Sequence, residues 1–330
     1  MEQAIRDQYN EKVFHELIAK YRIDPAQIRP LGGFESFVYE FERGGRQYIL
    51  RISHTGLRRK KEQVYAEVDF INYLADHGVP VARVVPSPEG NLMEAAENEN
   101  PLFVAVSFEK AKGAPPKKHH WIPPFFEDYG QIMGRIHRVT KNYQPSNPLY
   151  KRPEGQEDLI GFAERFLPSS EAEIIEKWNR SVAYLETLPK GKDEYGLIHQ
   201  DMHGGNFFVD DHGEITFFDF DDSQYFWFAH DIAMALFYVV PHHCTAKEDV
   251  EKAREFLKHF MMGYRKENYL QEHWIKEIPT FLKLREMDLY IAIHRSRDLN
   301  NLDPWCASFM HQRRKKIVDD IPYIDMDFSS

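Results

Sequence analysis

The apolar positions of this chain change their period as it proceeds, and the changes divide it into elements. Residues 2–21 alternate polar and apolar positions at helical spacing and stop before Asp24-Pro25, which predicts one amphipathic helix. The period then shortens to two. In LGGFESFVYEFERGGRQYILRIS, two β-rich runs flank Gly44-Gly45, a dipeptide suited to the positive φ angles of a tight hairpin turn. With the turn centred there, Arg51 lies opposite Val38. Strand alternation puts Ile49, Arg51 and Ser53 on one face and Tyr48, Leu50 and Ile52 on the other. From about Lys60 to Asp76 the helical period returns, with Val64, Val68, Ile71 and Ala75 as its buried stripe. At about 100° per residue, Glu67 falls beside that stripe and Glu62 nearly opposite it. Glu67 is therefore the better ion-pair partner for Arg51, and Glu62 a solvated charge. Strands and turns follow from Val79 to Glu109, closing on the apolar run that starts at Leu102.

After residue 112 the pattern is mainly helical. Lys112 to Pro124 is rich in Pro, Lys and His, and Lys117-Lys118-His119-His120 reads as solvated loop. Helices are expected over 127–139 and 157–166, and from a capping box at Ser170-Glu-Ala-Glu173 to about Leu188. Asp231 suits the N-cap of an apolar helix, 232–240. Further helices are expected at 247–264, 275–296 and 305–317.

One stretch interrupts the helices, LIHQDMHGGNFFVDDHGEITFFDFDD from Leu197 to Asp222. Its apolar runs, 206–209 and 215–218, flank a polar turn near His212 and read as a hairpin. That register sets residue 206 opposite 218 and 205 opposite 219, which makes Asn206 and Asp219 cross-strand neighbours at the open end. Asp201 can take a proton from a hydroxyl. Asn206 and Asp219 offer an amide oxygen and a carboxylate, the hard oxygen ligands that Mg²⁺ prefers. The spacing H-x-D-x-x-x-x-N followed by a metal-binding Asp is the logic of a kinase catalytic loop. The three-residue pattern recurs by chance, and the Asp on the paired strand is what makes it specific.

The stretch resembles the aminoglycoside phosphotransferase and choline kinase superfamily, the small-molecule branch of the protein-kinase-like fold. With ILRIS, AEVDFINYLADHGVPV and SFEKAKG, it looks most like the bacterial stress-response Ser/Thr kinase and type II homoserine kinase-like group. The resemblance spans roughly residues 28–240. It implies an α+β, two-lobed fold: a small antiparallel-sheet N-lobe (1–110), a hinge at about 107–112, and a larger, mainly helical C-lobe (113–330). It implies ATP and Mg²⁺ as cofactors. Asp201 becomes the catalytic base, and Asn206 and Asp219 the metal ligands. Gly32 and Gly33, otherwise a plain turn, become the loop over the phosphates. Phe108, Glu109, Lys110 and Ala111 become the adenine-reading segment. Arg51, supported by Glu67, stands where kinases usually place Lys on the α- and β-phosphates; its planar fork binds phosphate with a different reach. The resemblance also makes Asp231 a brace beneath the catalytic loop.

Composition narrows the partners. A formal net charge of −10 argues against a general nucleic-acid binder, which needs cations to neutralise phosphates. Two distant cysteines, Cys244 and Cys306, suggest a reducing compartment, and the polar start of the chain gives no sign of a signal peptide. The longest apolar run, 232–240, is too short to span a bilayer, so a cytoplasmic protein is expected. The expected acceptor is a small hydroxyl compound. Asp221, Asp222, Tyr225, Phe226 and Trp227 follow the metal site; acids with aromatic faces suit a cationic group, hence an amine-bearing alcohol, and the alternative is that the three aromatics simply pack beneath the loop. A protein Ser or Thr is the alternative acceptor. Two other classes compete: a metal-dependent hydrolase built on His199, Asp201, His203, Asp219 and Asp221, and a non-catalytic nucleotide-binding scaffold. Nothing in the sequence sets the oligomeric state.

Overall fold

The computed structural model describes residues 8–33, 36–55, 60–97, 102–240, 244 and 246–328. Residues 2–7 of the expected first helix, and Phe34-Glu35 beside the paired glycines, lie outside them. The chain forms two compact units. One comprises Met1–Ala114, Tyr143–Arg152 and Phe207–Asp221; the other Pro115–Asn142, Pro153–Asn206 and Asp222–Ser330.

The first unit is built on an antiparallel sheet of order β1-β2-β3-β6-β4, with β5 also on β6. Its strands are β1 (Ile28–Gly32), β2 (Phe37–Arg43), β3 (Arg46–Thr55), β4 (Val84–Val85), β5 (Glu94–Ala95) and β6 (Leu102–Glu109). Gly44 and Gly45 turn the chain between β2 and β3 with φ of 61° and 74°, a turn whose twist matches the strands it joins. The register that follows sets Val38 opposite Arg51. One sheet face carries Leu50, Ile52, Phe103 and Ala105, which bury against Val13, Leu17, Ile18 and Tyr21 of the helix Glu11–Lys20. Each Val, Leu, Ile or Phe among them contributes about 1.5–3 kcal/mol when fully buried. This helix begins at Glu11 because Asn10, in extended conformation, accepts the Val13 amide at 3.1 Å and caps it there. Arg51 and Ser53 occupy the other face, toward the helix Lys61–Asp76.

The hairpin of β8 (Phe207–Val209) and β9 (Ile215–Phe217) belongs to this unit, with Phe207 opposite Phe217. Val209 exchanges backbone hydrogen bonds with Ala114 at 3.1 and 2.9 Å, and Phe217 bonds to Pro80 and Ala82. Gly113 permits that approach: its φ is +84°, and a Cβ there would stand 2.0 Å from the Val209 carbonyl oxygen.

The second unit is mainly helical. Helices Pro123–Thr140 and Lys247–Tyr264 cross at Gly130, where a Cβ would lie 1.9 Å from the Phe260 carbonyl oxygen. Strands β7 (Tyr195–Ile198) and β10 (Gln224–Trp227) pair antiparallel and lead into the helix Phe228–Val239. Several expectations change here. The helix Ala172–Thr187 has no side-chain cap; a single 3₁₀ turn, Ser169–Glu171, replaces the expected capping box. The element at 157–166 is two short helices, Gly155–Leu159 and Phe162–Phe166, separated at Gly161. The one at 275–296 breaks before Pro279 into Glu272–Lys276 and Ile278–Ser296. The last, at 305–317, splits at Gln312, whose φ is +53°. Asp231 is not an N-cap, because the helix begins three residues earlier, at Phe228.

Candidate active site

The second unit holds the loop that carries Asp201, at the end of β7. Gln200 takes φ of +78°, a conformation that costs a non-glycine residue free energy and turns the chain into the loop. Asp231 offsets that cost. Its buried carboxylate accepts the amides of His199 at 3.0 Å and Gln200 at 2.9 Å. Its third partner is His137, which is fully buried. A carboxylate only accepts, so His137 donates from Nε2 at 3.2 Å; its Nδ1 then accepts from the Tyr264 hydroxyl, which accepts from Asn268. Burial pushes the His137 pKa down, which keeps the ring neutral in this relay. Burial by itself would raise the Asp231 pKa. The hydrogen bonds from His137 and the Gln200 amide outweigh it and hold the carboxyl below its ordinary range.

Asp201 stands in this loop with 23% of its side chain exposed. Oδ2 faces His203 Nε2 at 3.2 Å and Asn206 Nδ2 at 3.2 Å, and Oδ1 faces Arg285 Nη2 at 3.2 Å. His203 Nδ1 accepts the Gly205 amide, so Nε2 carries the proton toward Asp201. Burial raises the Asp201 pKa, but the His203 hydrogen bond and the Arg285 charge prevail, leaving it well below the usual carboxylate range. The carboxyl is thus biased toward its ionised form. Asn206 also donates to the Asp201 carbonyl at 2.8 Å. With its amide nitrogen so committed, Oδ1 is the atom Asn206 offers to a hard cation.

In the first unit Arg51 and Glu67 form a buried fork, Nη1–Oε1 at 2.8 Å and Nη2–Oε2 at 2.6 Å. The guanidinium carbon sits 5.2 Å from the centre of the Phe108 ring. Nη1 also lies 3.9 Å from an Asp219 oxygen, and the Asp219 side chain is 54% exposed. Glu62 is exposed. Gly32, Gly33, Ser36 and Val38 line a groove at the end of β1. At the expected hinge, Glu109 donates its amide to Arg83 and Lys110 to Gln47. The Lys110 ammonium pairs with Glu40 at 2.7 Å.

The chain matches the model of the phosphotransferase enzyme family over residues 27–266. It belongs to that family. This phosphotransferase is 35% identical to the amicoumacin kinase of Bacillus subtilis (strain 168) over 324 residues, 98% of this chain and 96% of the relative. A solved amicoumacin kinase, hAmiN in complex with AMP-PNP, Ca²⁺ and Ami, matches with a TM-score of 0.92 and 36% identity over 99% of each chain. A microcompartment-associated aminopropanol kinase shares the fold at a TM-score of 0.72 and 22% identity, covering 94% of each chain. The fold is accordingly the α+β, protein-kinase-like one. The phosphotransferase is a kinase with a hydroxyl acceptor, which sets the non-catalytic scaffold aside.

The hydrolase reading also lacks a site. Among the described residues no three His, Cys, Asp or Glu side chains form a metal cage. His199 is fully buried, with Nδ1 facing the Asp201 amide at 3.4 Å. Trp227 takes the packed alternative. It is fully buried, donates its indole N–H to the Pro189 carbonyl and packs on Tyr195 and Phe281, and the cation over its ring is the chain's own Lys190 ammonium, 5.6 Å from the centroid. Phe226 is buried with it, and Asp222 is exposed. Arg285 escaped the sequence reading altogether. Its signal was an arginine four residues after Phe281 on the apolar stripe of its helix, a place where a charge needs a buried partner. Among the described residues no helix is long and apolar enough to cross a membrane.

Proposed function

We propose that this kinase transfers the γ-phosphoryl group of ATP to a hydroxyl of amicoumacin or a closely related small molecule, in the cytoplasm where ATP is available. One observation carries the choice of acceptor: the likeness to amicoumacin kinase runs along nearly the whole of both chains. That likeness weighs against a protein Ser or Thr, and an amine-bearing alcohol remains the wider acceptor class. Asp201 orients the acceptor hydroxyl and takes its proton as the oxygen bonds to phosphorus and the bond to the ADP oxygen breaks. Arg51, steadied by Glu67, holds the α- and β-phosphates. Gly32 and Gly33 give backbone amides room to reach them. The amides of Glu109 and Lys110 are already committed, so Ala111 supplies the amide that reads adenine, and Phe108, three residues before it, serves as apolar wall. Asn206 Oδ1 and the Asp219 carboxylate suit Mg²⁺, which takes one or two protein oxygens and completes its shell from phosphates and water. Bound there, the metal supplies neutralisation of phosphate charge.

The test is direct. Purified protein, ATP, Mg²⁺ and amicoumacin should yield a product heavier by one phosphoryl group, with one ADP formed per product. Recovery of unmodified amicoumacin, while another hydroxyl compound or a protein is phosphorylated, would overturn the acceptor assignment.

A further inference from the structure

The carboxylate of Asp201 is held by more than its own loop. His203 and Asn206, which bond Oδ2, lie within five residues of it, but Arg285 reaches Oδ1 from 84 residues further along the chain. The guanidinium is fixed at two other points: Nη2 donates to the Tyr238 hydroxyl at 2.6 Å, and Nη1 to Asp288 at 2.7 Å. Its carbon lies 5.6 Å from the centre of the Tyr238 ring, which stands 4.8 Å from the ring of His203. Only 16% of the Arg285 side chain is exposed. Tyr238 thus touches both clamps on the carboxylate, one on each side.

We propose that Arg285 is a positioning residue for phosphoryl transfer: propped by Tyr238, it fixes the plane of the Asp201 carboxylate and so the direction in which the acceptor hydroxyl is received. The inference rests on Asp201 being the base. Neutrality alone does not require the third contact, because Asp288 on the same helix already balances the guanidinium. Asp288 also shares the cation, so Asp201 is steered without being fully neutralised. A carboxylate oxygen has two lone-pair sites, which leaves Oδ1 room for the acceptor proton beside Arg285. Loss of such a clamp acts on orientation, and a displacement of about 1 Å at a reacting group costs on the order of a hundredfold in rate.

The experiment is a double-mutant cycle on the full-length enzyme, measuring kcat and the KM for ATP. Arg285→Met should lower kcat by about 10- to 100-fold and leave the KM for ATP within about twofold. Arg285→Lys should recover part of kcat, because an ammonium keeps the charge but lacks the fork. In the Asp201→Asn background Arg285→Met should cost less than about threefold more, because a residue that acts through Asp201 has nothing left to orient. Three results would overturn the inference: wild-type kcat in Arg285→Met, full additivity of the two losses, or equal damage to kcat and ATP binding that Arg285→Lys shares. Asp201→Asn turning over near the wild-type rate would remove the catalytic assignment itself, and the inference with it. Additive losses beside a crippled Asp201→Asn remove only the role of Arg285.

Discussion

Truncating Glu67 separates what the Arg51–Glu67 fork does for the fold from what it does for the nucleotide. Glu67 is 0% and Arg51 7% exposed, and two bonds of 2.8 and 2.6 Å join them. In Glu67→Ala the guanidinium keeps its burial and loses the two bonds of the fork. Asp219 stays at 3.9 Å, and at 54% exposure its attraction is screened by water. Breaking a buried pair in this way costs about 3–5 kcal/mol, most of it the desolvation of the charge left behind. Replacing both partners with apolar residues of similar bulk is often neutral or stabilising. Arg51→Met/Glu67→Leu should therefore regain most of the stability that Glu67→Ala loses. Urea denaturation followed by tryptophan fluorescence and by far-UV circular dichroism reads the three proteins. Calorimetric titration with a non-hydrolysable ATP analogue and Mg²⁺ reads the other role. Glu67→Ala should weaken the nucleotide less than Arg51→Ala does, and the stabilised double variant should bind it as poorly as Arg51→Ala. A Glu67→Ala protein within about 1 kcal/mol of wild type would refute the reasoning. So would a double variant as unstable as the single one.

Three further outcomes are expected. Asp201→Asn should lower kcat at least about a hundredfold with nucleotide affinity little changed, in a coupled ADP-release assay; turnover within a few-fold of wild type would remove Asp201 as the base. Asp219→Ala should abolish the Mg²⁺-dependent part of the thermal stabilisation by ATP, and an unaltered shift would place the metal on other residues. His230 is buried, its ring nitrogens find no hydrogen-bond partner among the described residues, and burial pushes its pKa from 6.5 down to about 3. Between those values the unfolded chain binds a proton that the fold excludes, so stability falls as pH falls. From pH 7 to 5 the loss is about 2 kcal/mol, and His230→Phe should remove it from the urea midpoints; an unchanged acid slope in that variant would assign the loss to other groups.

Local pattern in the sequence was enough wherever a short-range rule leaves one solution. A period of two and a Gly-Gly turn set Val38 opposite Arg51, and the helical period put Glu67, not Glu62, on the face where an arginine could find it. The register of the β8–β9 hairpin, Phe207 opposite Phe217, was legible for the same reason. Elements whose ends depend on local breakers were less legible, as at Gly161 and Gln312, where backbone angles interrupt a continuous apolar stripe. Acids and aromatics in succession after Asp219 suggested a face for a cation, but strand pairing of β10 with β7 turned Trp227 inward. Asp231 suits an N-cap by local preference. It became the anchor of the loop that carries Asp201 because β7 ends beside it, 32 residues upstream in sequence. Arg285 shows the limit most clearly. Its partners Asp201 and Tyr238 come from a loop and another helix, and only packing of those elements selects which buried carboxylate its charge will share.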